Sequence, residues 1–193
     1  MPAAPTLYFD LGSPYSYLAV ERAPAVLGVD PELEPILLGA IFERRGYGTW
    51  GHSDDRGWNV AEVERRARKY GLPPVCWPPG WPPNTLQAMR AATWAKSRSL
   101  VREFALAAYR RAFVDGLDLG DLKVVAAAAA DAGLPTEELR VAIAEPELKT
   151  ALRNATEAAW DAGVRGVPSV RAGTAVYFGD DRLGEAAAAV RVP

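Results

Sequence analysis

The hydrophobic positions at the two ends of the chain predict strands, whereas those in the middle predict helices. Residues 7–11 are a short apolar run typical of a buried strand, and residues 14–28 repeat apolar positions at helical spacing. Residues 34–38 predict a second strand, which the usual right-handed crossover makes parallel to the first. Near the other end, residues 169–171 and 175–178 predict two strands separated by a turn, and a last helix follows over 180–190.

The middle of the chain predicts a block of helices interrupted by two irregular segments. Residues 41–58 are rich in glycine, arginine and aromatic residues with little periodicity, and they predict a long functional loop. Residues 71–83 contain too many prolines for regular structure. Helical spacing predicts the following helices: 60–70, 85–96, 99–114, 122–132, 136–144 and 147–162. The order of elements indicates an α/β protein.

Composition limits the cellular compartments and the binding partners that fit this chain. The 193 residues include 22 basic and 24 acidic side chains without a basic stripe, which argues against a nucleic-acid partner. The single cysteine, Cys76, excludes a disulfide within the chain and fits a reducing compartment. The first residues lack the features of a signal peptide, and no apolar run approaches the roughly 20 residues of a membrane helix. We therefore expect a cytoplasmic protein with no membrane partner, and the single histidine, His52, argues against a metal site.

The motif Ser-Pro-Tyr-Ser, residues 13–16, stands between the first strand and the first helix. Thioredoxin-like oxidoreductases carry a Cys-x-x-Cys pair at this position, and here hydroxyls replace both thiols, so the chain cannot run disulfide exchange alone. Ser13 has two interpretations. It is a natural helix N-cap, or its hydroxyl binds a thiolate that a ligand supplies, because a helix N-terminus favours negative charge.

Two further segments have both a structural and a functional interpretation. The peptide bond before Pro168 is either an ordinary trans bond or part of a cis-proline loop that faces the Ser13 helix, where the backbone of Val167 would pair with a peptide-like ligand. Asp181 and Arg182 either cap the last helix or bind a zwitterion, Asp181 its ammonium and Arg182 its carboxylate.

Four tryptophans lie near the two irregular segments. They either wall a pocket for an aromatic ligand or pack these segments onto the helical block: Trp50, Trp58, Trp77 and Trp81. Asn84 reads most simply as a helix cap, and Cys76 as a loop or core residue.

Five motifs in the same order resemble those of the 2-hydroxychromene-2-carboxylate isomerase family, which is related to kappa-class glutathione transferases. They are the segments 9–19, 37–42, 82–85, 166–169 and 178–183. The resemblance implies a thioredoxin-like, DsbA-type mixed sheet with a large all-helical insertion. It predicts a discontinuous thioredoxin-like domain over 1–40 and 150–193 and a helical insertion domain over 41–149.

The resemblance also implies a glutathione-dependent cis–trans isomerase of an aromatic catabolite. Ser13 would hold the sulfur of glutathione, or of another low-molecular-weight thiol, which is a cofactor and is not consumed. Val167 and Pro168 would bind its cysteinyl part, and Asp181 and Arg182 its γ-glutamyl end. The implied partners are a small aromatic substrate and a second copy of the chain in a homodimer. A kappa-like transferase and a non-catalytic thioredoxin-like binding module are the alternatives.

The chain departs from the family pattern in the segment 41–58. Tyr47 stands near the position of a usual asparagine, Arg56 is the candidate for a usual lysine, and Trp58 stands near a usual tyrosine. We expect these three residues at the cofactor site. We expect a substrate pocket beside them, formed by Tyr15, Trp81 and Asn84.

Overall fold

A β-α-β unit opens the fold and places the Ser13 motif. The computed structural model describes residues 4–191. Strand β1 (Thr6–Phe9) leads to helix α1 (Pro14–Leu27) and then to strand β2 (Glu32–Pro35), which pairs with β1 in parallel. Proline is the first residue of α1, where its missing N–H costs nothing, and Gly28 ends the helix at φ 76°.

The segment after β2 corrects two sequence predictions. The strand predicted over 34–38 ends at Pro35, because Thr156 on a distant helix accepts the Leu37 N–H and Asp10 accepts the Leu38 N–H. These contacts start a helix, α2 (Leu38–Arg45), inside the predicted loop 41–58. A 3₁₀ turn over Trp50–His52 follows.

The helical block occupies most of the remaining middle of the chain. Helix α3 (Arg56–Lys69) starts four residues earlier than the sequence pattern predicts, and an irregular proline-rich segment follows it. The next five helices are α4 (Leu86–Ser97), α5 (Val101–Phe113), α6 (Leu122–Asp131), α7 (Leu139–Ala142) and α8 (Pro146–Asp161).

Two antiparallel strands and a short helix complete the fold. Strands β3 (Ser169–Ala172) and β4 (Ala175–Phe178) form a hairpin, and the strand order of the sheet is β2-β1-β3-β4. Because β3 runs antiparallel to β1, the sheet is mixed. A 3₁₀ turn over Asp180–Arg182 leads into α9 (Leu183–Val190). The predicted α/β class with a mixed thioredoxin-like sheet is confirmed.

A continuous hydrophobic core joins the sheet to the helical block. Phe9 from β1 and Tyr17 from α1 pack against Tyr109 and Phe113 from α5, with ring centroids 5.7–6.3 Å apart. The division into a thioredoxin-like domain and an insertion domain stays a prediction. Within residues 4–191, no helix combines the length and the apolar character needed to cross a membrane.

Candidate active site

Ser13 caps helix α1 and faces a cavity. Its Oγ accepts a hydrogen bond from the Ser16 N–H over 3.2 Å, and its side chain is almost fully buried. A hydroxyl that accepts one bond still has a proton to donate. Pro14 carries no N–H, and within residues 4–191 the N–H of Tyr15 has no hydrogen-bond partner. The positive end of α1 and the Ser13 hydroxyl therefore favour a bound anion such as a thiolate.

The segment before β3 lines the same cavity as Ser13. The Val167–Pro168 peptide bond is cis, and Gly166 and Val167 contribute to the cavity wall. In the described part of the chain, neither the N–H nor the C=O of Val167 has a protein partner. These free backbone groups can pair with the backbone of a cysteinyl ligand in the manner of an added strand.

The cavity beside Ser13, hereafter the serine cavity, has a volume of about 870 Å³. Its mouth is aromatic, because Tyr47 and Phe178 are 45% and 55% exposed and both line it. Tyr15 and Trp50 contribute a second aromatic wall, with their rings edge to face at 6.1 Å. A volume of this size falls within the ~300–1,000 Å³ typical of small-molecule sites.

A second cavity of about 540 Å³ shares part of its wall with the serine cavity. The shared residues come from α2 and the 3₁₀ turn and include Phe42 and His52. Asn84 and Thr85 line the far side. The two cavities together can hold a thiol and a second small molecule next to each other.

Asp10 connects the three chain segments that meet at the two cavities. Its carboxylate accepts hydrogen bonds from Gly12 N–H at 2.8 Å, Leu38 N–H at 2.9 Å and Thr85 Oγ1 at 3.2 Å. Burial raises the pKa of this carboxyl, and the three donors oppose that rise. Sequence analysis missed Asp10, although its place at the end of β1, three residues before Ser13, could have indicated a role in holding the motif.

A charged network lies behind Tyr15. Arg66 donates to the buried Asp180 at 2.6 Å, and Tyr70 donates to the other oxygen of Asp180 at 3.0 Å. The guanidinium of Arg66 also lies 5.4 Å from the centroid of the Tyr15 ring. Burial raises the pKa of the Tyr15 hydroxyl to about 12, although the nearby Arg66 lowers it. Tyr15 therefore stays protonated near neutral pH, and it donates a hydrogen bond to Asn59 Oδ1 at 3.0 Å.

The structure brings some of the sequence-predicted site residues together. Ser13, Tyr15, Tyr47 and Val167 line the serine cavity, with the buried Pro168 next in the chain. Asn84 lines the adjoining cavity and also caps α4, because its Oδ1 accepts from the Leu86 N–H. Sequence analysis missed Phe42 and Phe178 as wall residues, because the neighbours of an aromatic side chain cannot be inferred from local spacing.

Other predicted site residues lie away from both cavities. Arg56 and Trp58 point outward from the start of α3, and Trp58 is 68% exposed. Arg182 is exposed and binds Glu185 one turn later. Asp181 is exposed and lies 3.5 Å from Arg66. None of these four residues lines the serine cavity or the adjoining cavity as the structure of residues 4–191 defines them.

Trp81 also lies outside the predicted substrate pocket. It is 4% exposed and packs between Trp50 and Trp77, tilted against the first ring and edge to face with the second, with ring centroids at 4.6 and 5.0 Å. Its indole N–H donates to Gly12 O at 3.3 Å. Three of the four tryptophans thus fit the packing interpretation. They pack the two irregular segments together, and Trp50 also lines the serine cavity.

No group of three His, Cys, Asp or Glu residues within the described range 4–191 lies close enough to hold a metal ion. Cys76 is exposed and contributes to neither cavity.

The fold and the site together define a thioredoxin-fold protein that has a serine where a redox enzyme has its reactive cysteine. Residues 6–191 match the model of the DSBA-like thioredoxin domain, and the chain belongs to this family. It is 29% identical to 2-hydroxychromene-2-carboxylate isomerase of Sphingobium xenophagum, covering 91% of this chain and 92% of the relative. It is 26% identical to human glutathione S-transferase kappa 1, covering 95% and 88%.

A solved structure of 2-hydroxychromene-2-carboxylate isomerase superposes with a TM-score of 0.87, over 97% of this chain and 94% of the other, at 19% identity. The resemblance predicted from the five motifs is confirmed. The relatives identify a glutathione-related enzyme family.

Glutathione fits the site only in part. Ser13, the start of α1 and the free backbone groups of Val167 suit its cysteinyl thiol. Its two carboxylates need cationic partners. However, no lysine or arginine of residues 4–191 lines the serine cavity. The structure therefore fits a cysteinyl thiol better than it fits the charged ends of glutathione.

Proposed function

We propose that this protein is a thiol-dependent cis–trans isomerase of a conjugated aromatic catabolite, of the type represented by 2-hydroxychromene-2-carboxylate. The observation that carries the proposal is Ser13, with its hydroxyl at the N-terminus of α1 and facing the serine cavity. A bound thiolate supplies a nucleophile that adds reversibly to a conjugated carbonyl compound, so that a double bond can rotate before the thiolate leaves.

The protein's own groups have three roles in this proposal. Ser13 donates a hydrogen bond to the sulfur, and the orphan amide of Tyr15 adds positive potential there. The backbone of Val167 aligns the cysteinyl part. The adjoining cavity, with Asn84 and Thr85 on its far side, holds the conjugated substrate next to the thiol. The proposal includes a cytoplasmic homodimer, which stays a prediction from the sequence and the resemblance.

The test compares the two serines of the motif. Ser13 faces the cavity, whereas the Ser16 hydroxyl is fully buried without a hydrogen-bond partner in the described structure. Loss of one hydrogen bond to a charged sulfur removes about 1.5–3 kcal/mol. S13A should therefore raise the pKa of the bound thiol by about 1–2 units and slow thiol-dependent isomerisation about 10- to 100-fold. S16A should stay near the wild-type values.

The measurements are thiolate absorbance against pH and turnover of 2-hydroxychromene-2-carboxylate. Unfolding curves accompany them, because S13A also removes a helix cap worth about 0.5–2 kcal/mol. Equal thiol pKa values in wild type and S13A would refute the role of Ser13.

A kappa-like transferase is the second candidate, and the 26% identity to the human kappa enzyme over most of the chain favours it. Both reactions use the same thiolate site, and only the fate of the thiol separates them. A constant thiol concentration during turnover supports the isomerase, whereas stoichiometric depletion supports the transferase. Absence of any thiol binding would leave only the non-catalytic binding module.

A further inference from the structure

The wall of the serine cavity has an unusual charge distribution for a site that would hold glutathione. Its rings come from Tyr15, Phe42, Tyr47, Trp50 and Phe178. Small uncharged polar side chains, one imidazole and one carboxylate complete much of the wall: Thr49, Ser53, Asn59, His52 and Asp55. No lysine or arginine of residues 4–191 lines the cavity. Residues 1–3 and 192–193 include no lysine or arginine either.

Three arginines that contact or adjoin wall residues are already held by other groups, whereas Arg56, beside Asp55, is exposed and has no ion pair within residues 4–191. Arg45 donates to the carbonyl of Arg165 at 2.8 Å and lies over the Tyr47 ring at 4.5 Å. Arg165 donates to Trp160 O at 2.6 Å. Arg66 is bound to Asp180 at 2.6 Å. An anionic ligand in the cavity would have to compete with these contacts for one of those three arginines.

Asp55 adds a negative charge to the cavity wall. It precedes α3, but its side chain makes no capping hydrogen bond. In the described part of the chain its carboxylate has no ion pair or other hydrogen bond either. A free carboxylate repels a ligand carboxylate and accepts hydrogen bonds from hydroxyls. Away from Ser13, the wall therefore offers a ligand carboxylate no lysine or arginine partner and favours a ligand rich in hydroxyl groups.

We infer that the thiol bound by this protein is a cysteinyl thiol that carries an uncharged polyhydroxyl group, such as an amide-linked sugar, rather than glutathione. This inference rests on the proposed function, because it names the thiol that the Ser13 site uses. A sugar ring places its C–H face against an aromatic ring, here that of Tyr47 or Phe178 at the cavity mouth. Its hydroxyls then reach Asp55, Asn59 and Thr49.

The test measures the affinity of four thiols by calorimetry. They are glutathione, glutathione diethyl ester, N-acetylcysteine amide, and N-acetylcysteine joined to glucosamine through an amide. We expect the sugar-linked thiol to bind at least about tenfold more tightly than glutathione, and the diester to bind more tightly than glutathione itself. Y47L should weaken the sugar-linked thiol several-fold more than N-acetylcysteine amide. D55N should strengthen glutathione and weaken the sugar-linked thiol.

Two results would overturn the inference while leaving the proposed function in place. One is tighter binding of glutathione than of its diester and of the sugar-linked thiol. The other is a tenfold loss of glutathione affinity in R56A, which would mean that the exposed Arg56 folds over the cavity to hold a carboxylate. If none of the four thiols binds, including the short N-acetylcysteine amide, both the inference and the proposed function fail.

Discussion

Replacing Asp10 by alanine should loosen the three segments that meet at the two cavities. The side chain is 4% exposed, and its carboxylate accepts hydrogen bonds from Gly12, Leu38 and Thr85. A buried donor left without its acceptor costs about 1–3 kcal/mol, so three partly buried donors should together lower the free energy of unfolding by about 4 kcal/mol. D10N retains an acceptor oxygen and should cost about 1 kcal/mol.

Asp118 provides a matched control for this experiment. Its Oδ1 accepts from the Gly120 N–H at 2.7 Å, which is the same local turn that Asp10 makes with Gly12, but in an exposed position. Water can replace an exposed acceptor, so D118A should change the free energy of unfolding by less than about 1 kcal/mol. Urea denaturation of the three variants and wild type measures the differences. A D10A variant as stable as D118A would refute the role of the buried carboxylate.

The pH dependence provides an independent check on Asp10. Burial raises the pKa of this carboxyl in the folded state above its ordinary value of 3.8. The folded protein therefore keeps this proton to a higher pH than the unfolded chain does. The stabilisation from Asp10 is complete below the unfolded pKa and decreases as the pH rises through the folded-state pKa. The stability difference between wild type and D10A should narrow as the pH rises above about 4, and a widening difference would contradict the argument.

Three further results are expected. The double variant S13C/S16C should form a disulfide under mild oxidant, since the two side chains lie one helical turn apart, and thiol counting would detect its absence. E62Q should be less stable than wild type at neutral pH but equally stable near pH 2, because hydrogen bonds from two arginines of α3 lower the folded-state pKa of Glu62 to about 2. G166A should weaken thiol binding several-fold in calorimetry with little loss of stability, because the added Cβ would lie 2.6 Å from the exposed ring of Phe178, which must then leave its place in the cavity wall.

The sequence predicted the parts of the site that local chemistry determines. Ser13 follows a strand and precedes a helix with proline at its first position, and these neighbours alone define an N-cap. Strands β1, β3 and β4 were predictable because short apolar runs and turn residues mark them locally. Val167 lines the serine cavity, a placement that depends on backbone position rather than on side-chain direction, and its role in binding stays a prediction.

Features that depend on distant contacts could not be predicted. Helix α2 begins where Asp10 accepts the Leu38 N–H, and nothing in the pattern of 38–45 reports that bond. Arg66 and Asp180 are 114 positions apart, so no local sequence pattern indicates their ion pair. The direction of the Arg182 side chain could not be predicted, because it depends on the rotation of the 3₁₀ turn that contains it; its role in binding stays a prediction.

The clustered tryptophans give this protein an optical signal of its own. The indoles of Trp50, Trp77 and Trp81 lie within 4.6–6.3 Å of one another, close enough for their excited states to mix. Coupled chromophores in a fixed chiral arrangement produce paired bands of opposite sign in circular dichroism. Because Trp50 also lines the serine cavity, a ligand that rotates its ring should alter those bands. Occupancy of the cavity could then be followed without any label.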